Sequence, residues 1–266
     1  MTDEYWDLVR PTYIENWPKG LAGLSIEQID VPMTLAEAHA LGTNIMEYAE
    51  TFGLRESIDD LRHRVAGAVA KFPRGAFVRL GSRSPKDTPK FHYGKKILTY
   101  NNPLHLLTEG SERISDDLHL AIHHQYAPHI FVRKWLDFTP WQEFRCFQKD
   151  HRLVGISQYH YLGRTHFQEI HRFLRPIKDA IVILHEVFRD VCPIADVVFD
   201  VIVEAWKGYT GDKAVATFLE INPFSPHTDP CLFDWGHGGS FRGEFLVVGD
   251  HGQTVNLSNF PEIPDR

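Results

Sequence analysis

The chain has 266 residues, 43% of them hydrophobic and 24% charged, with a net charge of −7 when histidine is neutral. At about 150 residues per domain this is one large domain or two small ones, and the composition excludes a mainly disordered or collagen-like chain. The acidic balance argues against a protein held to nucleic acid mainly by charge. Three dispersed cysteines, Cys146, Cys192 and Cys231, with no CxxC pair, fit a reducing compartment and argue against a cysteine zinc site.

Residues 1–10 carry Asp3, Glu4 and Asp7, where a secretory signal needs a basic start and an apolar run. No stretch approaches the ~20 apolar residues of a membrane span. The expectation is a soluble, cytoplasmic protein.

Ile26–Val31 reads as a short strand. Thr34 and Glu37 have capping-box spacing and open a helix to about Thr51. A second helix runs from Ser57 to about Phe72, with Leu61, Val65, Ala68 and Val69 at helical spacing. Pro73-Arg74-Gly75 breaks it, and Ala76–Leu80 reads as a buried strand. A polar loop follows, then helices at Pro103–Glu109 and Asp116–Gln125, and a strand at His129–Phe138. Gln142–Gln148 and Arg152–Tyr159 pattern as a hairpin turning at Lys149-Asp150. Phe167–Asp190 is one long helix, or two meeting near Pro176. Ala195–Ala205, Ala214–Asn222 and Phe245–Val248 read as strands. Helices dominate the first half and strand pairs the second, so the expected class is α+β with antiparallel sheet. The expected division is near residue 130, with lobes 1–130 and 131–266.

The strongest chemical signal is a pair of apolar strands with an acid in each, Val198–Val203 around Asp200 and Thr217–Asn222 around Glu220. A buried carboxylate is costly unless paired or metal-bound. A hairpin symmetric about residue 210 sets Asp200 directly opposite Glu220, with Asn222 on the same face as Glu220. Such oxygen ligands suit Mg²⁺ or Mn²⁺. The alternatives are that one acid faces solvent or that an arginine neutralises both.

The second signal is basic: Lys71, Arg74, Arg79, Arg83, Lys86, Lys90, Lys95 and Lys96, with the single acid Asp87 among them. Arg79 lies in an apolar strand and needs an anionic partner. The loop Gly81-Ser82-Arg83-Ser84-Pro85-Lys86 has the composition of a phosphate-binding loop, without the P-loop pattern; the alternative is a solvated basic loop, the preferred reading for Lys90, Lys95 and Lys96. The third signal is Phe131–Leu136 followed by Glu143–Phe147. Glu143 and Arg145 share a strand face, either as a mutual ion pair or with Arg145 turned to a phosphate or substrate anion. His119 and His123 have the i, i+4 spacing of a zinc pair, but no third ligand follows and helix-surface histidines are the simpler reading.

The segments Phe77–Asp87, Arg133-Lys134-Trp135, Glu143–Phe147, Leu153–Gln158, Phe199-Asp200-Val201 and Glu220–Phe224, with Thr228-Asp229 after them, resemble the cell-division-cycle-123 family. The resemblance covers roughly residues 72–235. It implies an ATP-grasp fold, in which two α+β lobes with antiparallel sheets hold Mg-ATP between them. It implies that Asp200, Glu220 and Asn222 bind the metal and that Arg79 holds phosphate, with Ser82, Arg83, Ser84 and Lys86 in the adjoining loop. Arg133, Lys134, Trp135 and Leu136 would form the adenine hinge. Arg79 stands where the family usually has Lys, and Glu220 where it usually has Asp. The 81–84 loop also departs from the form typical of eukaryotic members, which, with the short chain, points to a prokaryotic or viral relative.

Two functions follow from the resemblance. One is an ATP-dependent carboxylate–amine ligase acting on a peptide or protein through an acyl phosphate, with Arg145 as the catalytic residue on the reacting carboxylate. The alternative is a non-catalytic, ATP-dependent assembly chaperone, as eukaryotic members are for a trimeric translation initiation factor.

Overall fold

In the computed structural model, which describes residues 3–42, 55–88, 91–99, 101–108, 111–209, 211–236 and 241–258, local signals set most element boundaries. After helices α1 (Asp3–Val9) and α2 (Lys19–Leu24) and strand β1 (Gln28–Pro32) comes α3 (Leu35–Gly42). Its capping box forms as expected: the Thr34 amide donates to Glu37 Oε2 at 2.7 Å, and the Glu37 amide donates to Thr34 Oγ1 at 3.1 Å. The continuation of this helix expected to Thr51 lies outside the described residues, as do Lys90 of the basic run and Glu109. Helix α4 (Arg55–Val69) and strand β2 (Ala76–Leu80) follow. Helix α5 (Glu112–His123) starts four residues before the expected Asp116, because Ser111 caps it by accepting from the Ile114 amide at 3.1 Å.

Strand β3 (His129–Lys134) pairs antiparallel with both β1 and β2, giving the order β1-β3-β2. Alternation along the strands gives this sheet two different faces. Ala76, Val78, Leu80, Ile130 and Val132 join a core with Ala38, Leu61, Val65, Ile114 and Leu118 of the helices. Phe77, Arg79, Phe131 and Arg133 lie on the opposite face, set together by the pairings Phe77 with Arg133 and Arg79 with Phe131.

The second sheet has the order β7-β6-β4-β5-β8-β9 and is antiparallel except where β5 meets β8. Its strands are β4 (Glu143–Lys149), β5 (Arg152–Gln158), β6 (Val197–Gly208), β7 (Gly211–Pro223), β8 (Glu244–Val248) and β9 (Thr254–Asn256). The β4–β5 turn falls at Asp150-His151, one residue beyond expectation, and both have positive φ, 49° and 58°. Two left-handed residues in a two-residue loop match the right-handed twist of the strands they join. Helix α6 (Leu174–Val191) carries Pro176 in its first turn, where a missing N–H breaks no helical bond. Of the two alternatives the sequence left open, two helices form, a short one at Gln168–Arg172 and α6, meeting at Phe173 just before Pro176.

Phe188 of α6 stacks on Phe199 at 4.5 Å and packs on Phe218 at 5.4 Å. His185, one turn earlier, is buried and stacks on Phe199. The Gln148 amide nitrogen donates to Ile194 O at 2.9 Å, which leaves Gln148 Oε1 as acceptor for His185 Nε2–H at 2.9 Å. Burial pulls the His185 pKa below 6.5, and the nearby Arg189 adds to this. A depressed folded pKa means the unfolded chain takes up a proton first. The contribution of His185 to stability is therefore full above about pH 6.5 and is lost as pH falls through the folded value. Urea unfolding between pH 5 and 7.5 is expected to show stability declining toward acid, with a smaller slope in His185→Gln. An unchanged slope would assign the acid sensitivity to other groups.

The chain divides into two units, Met1–Trp17 with Ile26–Leu136, and Pro18–Ser25 with Asp137–Arg266. The division follows Leu136 instead of residue 130, because β3 is hydrogen-bonded on both edges into the first sheet. Residues 18–25 depart from the expected first lobe because Ser25 bridges to Phe218 of β7. No helix among the described residues is long and apolar enough to cross a membrane.

Candidate functional site: a buried charged row across the second sheet

The face of the second sheet opposite α6 carries a row of directly opposed polar residues. Glu220 of β7 stands opposite Asp200 of β6, Asp200 opposite Arg145 of β4, and Arg145 opposite Ser157 of β5. The expected Glu220–Asp200 opposition is present, but symmetry about residue 210 is not its cause. The hairpin closes with Gly208 opposite Gly211, and in that register Phe218 pairs with Val201. Continued unbroken, it would put Leu219 against Asp200 and turn Glu220 to the helix-covered face. A register shift between Asp200 and Val201 leaves Leu219 as the extra residue and returns Glu220 to the polar face. Ser25 Oγ holds the irregularity by donating toward the Phe218 and Leu219 carbonyls at 3.3 and 3.1 Å.

The acid at the centre is neutralised by an arginine. Arg145 Nε donates to Asp200 Oδ1 at 2.8 Å and Nη2 donates to Asp200 Oδ2 at 2.7 Å, a bidentate pair with both side chains buried. Arg145 Nη1 donates to the Asp229 carbonyl at 2.8 Å, and the guanidinium lies over the Tyr159 ring at 4.9 Å. Asn222 Nδ2 donates weakly to Asp200 Oδ2 at 3.5 Å. The alternative of a mutual Glu143–Arg145 pair is not realised. Arg145 takes the directly opposed carboxylate across the strands, which is nearer than a same-strand neighbour two residues away. Glu143 instead meets His160 Nε2 at 2.8 Å.

Burial is the largest influence on both members of the central pair. For Arg145 the Asp200 carboxylate outweighs it and holds the guanidinium charged. For Asp200, burial and the facing Glu220 outweigh Arg145 and push the carboxyl up to about 6. The two shifts favour opposite charge states. The ion pair is the form that governs at neutral pH, because a guanidinium does not shed its proton and two short parallel bonds require an ionised carboxylate.

Sequence reasoning missed the backing of this row. The Asp229 carboxylate accepts from Tyr161 Oη at 2.9 Å and from the Cys231 amide at 2.8 Å, so its carbonyl is fixed toward Arg145. Burial, reinforced by the bond to Asp229, pushes the Tyr161 phenol up to about 12. Ser157 Oγ accepts from the Leu232 amide at 3.1 Å, closing the segment after β7 onto β5. Phe147, Phe224, Phe233, Trp235 and Phe241 pack together beside it. The Thr228-Asp229 pair was visible in the sequence, but nothing in its spacing marks a backbone carbonyl as a ligand.

The residues expected to meet the nucleotide in the first unit divide into two groups. Arg79 and Arg133 are both buried and share the sheet face opposite the core, and Arg79 Nε donates to the Leu80 carbonyl at 2.9 Å. Lys134 is exposed, 3.8 Å from Glu27, with its amide bonded to the Glu27 carbonyl. The Trp135 amide donates to Gly75 O at 3.1 Å, and Lys96 lies over its ring at 5.7 Å. Leu136 ends the unit. In the 82–86 loop, two of the residues expected at phosphate have partners inside the unit. Arg83 faces the buried Asp117 of α5 at 3.2 Å and donates to Tyr5 Oη at 3.2 Å, and Ser82 also bonds Asp117. Arg83 supplies the charge and Ser82 a hydrogen bond to an internal carboxylate, because the buried Asp117 needs a cation and a donor. Ser84 is buried, and its carbonyl accepts from the Lys86 amide at 2.9 Å.

With this geometry in hand, comparison with known proteins gives a consistent result. The chain has an α+β fold, and its residues 42–237 match the D123 family model. The chain belongs to the D123 family. It is similar to two proteins named translation initiation factor eIF2 assembly protein. The one from Candida albicans is 26% identical over 191 residues, 66% of this chain and 52% of that protein; the one from Dictyostelium discoideum is 30% identical over 187 residues, 66% and 46%. The chain spans about half the length of these curated relatives. The structure of Cdc123 from Schizosaccharomyces pombe superposes with a TM-score of 0.68 at 22% identity, covering 86% of this chain and 90% of that one. That likeness gives the fold, which the sequence resemblance had placed among ATP-grasp proteins. The expectation of a prokaryotic or viral relative is not supported, because these relatives are eukaryotic.

Proposed function

We propose that this protein is a non-catalytic, ATP-dependent assembly factor acting on a protein client of the translation-initiation-factor class in the cytoplasm. The single observation that carries this choice over a ligase is the commitment of Arg145. A ligase of the kind considered above needs that guanidinium on an acyl phosphate or a substrate carboxylate. Here it spends three N–H groups on Asp200 and the Asp229 carbonyl, and it is buried. The eIF2 assembly role in the names of the relatives supports the same reading.

ATP and Mg²⁺ belong to the proposal. The donor set fits a hard cation. Glu220 and Asn222 are partly exposed on the polar face. Asp200 Oδ1 takes one bond, from Arg145, and has capacity for a second, whereas Oδ2 also receives the long bond from Asn222. Mg²⁺ is commonly held by one or two carboxylates together with phosphate oxygens. When bound, the ion would neutralise phosphate charge. Asp200, Glu220 and Asn222 would hold it, and Arg145 would keep the buried Asp200 ionised. Arg79, Lys86 and the 133–136 segment carry the proposed nucleotide contacts, whereas Ser82 and Arg83 do not.

The test mixes the purified protein with purified eIF2 subunits, with and without Mg-ATP, and follows complex formation by size-exclusion chromatography. Phosphate release is measured in parallel over amino acids and peptides. A complex strengthened by Mg-ATP, with no stimulated release, is the expected result. Release driven by a carboxylate acceptor, with an amide product, would establish the ligase instead.

A further inference from the structure

The sequence offered His119 and His123 as a zinc pair with no third ligand; the fold instead groups His123 with its neighbour His124 and with a carboxylate from α1. Asp3, in the first turn of α1, lies beside His123 and His124, and one ligand atom from each of the three falls within 4.8 Å of the others. His119, the i, i+4 partner of His123, is not part of this group.

Three features make the cluster more than a chance meeting. Consecutive residues inside a helix do not face each other, but α5 ends at His123 and His124 is its C-cap, with φ −88° and ψ 13°. That exit brings the two rings to 4.9 Å, edge to face. The His124 ring is then fixed by stacking on the Trp6 indole at 4.5 Å and 5°. Trp6 is part of a small core with Val9, Tyr13 and Leu120. Finally, His124 Nε2 is buried and has no hydrogen-bond partner among the described residues, with Asp3 Oδ1 3.9 Å away. A buried, orphaned ring nitrogen aimed at a carboxylate is a costly arrangement without a ligand.

We propose that Asp3, His123 and His124 form a binding site for one divalent transition-metal ion of the Zn²⁺ class, which ties α1 to the C-terminal end of α5. Two imidazoles and one carboxylate suit Zn²⁺ and its neighbours better than Mg²⁺ or Ca²⁺, which prefer all-oxygen shells. A tetrahedral Zn²⁺ shell with bonds of about 2.0–2.1 Å sets ligand atoms about 3.4 Å apart. The exposed Asp3 and His123 side chains close that difference by rotation about their own χ angles, while His124 stays seated on Trp6. A water completes the shell. The site is separate from the charged row of the second sheet and does not depend on the function proposed for it.

The experiment is a calorimetric titration of the full chain with Zn²⁺, repeated with Co²⁺ to read visible absorption. One high-affinity equivalent is expected, with a Co²⁺ band characteristic of a nitrogen- and oxygen-ligated ion. Asp3→Asn and His123→Ala should each weaken binding by about tenfold or more and remove the Co²⁺ band. His119→Ala should leave both unchanged. Zn²⁺ should raise the thermal midpoint of the wild type and leave that of the two ligand variants unmoved. His124→Ala also removes a ring from Trp6, so the two exposed positions carry the test. Wild-type affinity and stoichiometry in both Asp3→Asn and His123→Ala would overturn the proposal. So would an equal loss in His119→Ala.

Discussion

Arg145→Ala is expected to destabilise the second unit by about 3–5 kcal/mol, the usual cost of stripping one partner from a buried ion pair. The guanidinium meets both Asp200 oxygens and the Asp229 carbonyl and lies on Tyr159. Its removal leaves a charge inside the sheet and frees the segment after β7. Urea unfolding near pH 7.5, where Asp200 is ionised, measures the loss. Arg145→Lys should recover little of it, because an ammonium cannot reproduce the bidentate fork. A paired change, Arg145→Met with Asp200→Leu, should recover most of it, since a buried pair can often be replaced by apolar side chains of similar volume. A fully stable Arg145→Ala would mean that the pair does not hold the sheet together, and the case against a catalytic Arg145 would fall with it.

Glu220→Gln separates charge from shape at the other end of the row. If Mg²⁺ binds there, the variant is expected to lose tenfold or more of its Mg²⁺-dependent ATP affinity in calorimetry, while adenosine affinity stays unchanged. The folded protein should become more stable near pH 7 at the same time. Burial and the facing Glu220 raise the Asp200 carboxyl from 3.8 to about 6. A carboxyl with a raised folded pKa contributes stability that is full below about pH 4 and lost as pH rises through about 6. Removing the Glu220 charge lowers the folded value and shrinks that loss. ATP affinity that ignores both Mg²⁺ and Glu220→Gln would sink the metal assignment without touching the assembly reading.

How much of the site was legible depends on the range of the interaction that made it. Residue type alone marked Asp200, Glu220, Arg79 and Arg145, because charged groups in apolar strands are costly and stand out, and strand alternation added Asn222 on the face of Glu220. Their neighbours followed different rules. Arg83 has the composition of a phosphate ligand, yet the buried Asp117 claims it from another element. Asp200 has the composition of a metal ligand, yet a cross-strand arginine fills half its acceptor sites. Asp229 meets Arg145 through its backbone carbonyl, and every residue has one of those.

The sequence by itself determined the type and order of most elements. Thr34, Pro176 and the apolar, β-prone runs of β6 and β7 act within a few residues, where sterics and hydrogen bonding leave few choices. Only the tertiary structure decided which charges meet. The extra residue at Leu219 turns Glu220 toward Asp200, β3 joins the first sheet through both its edges, and Asp3 reaches His123 and His124 from the other end of the unit. Each outcome rests on a register or a packing contact between segments far apart in the chain. A strand's side chains repeat every two residues, so a one-residue slip reverses every face, and no local pattern records where the slip occurs.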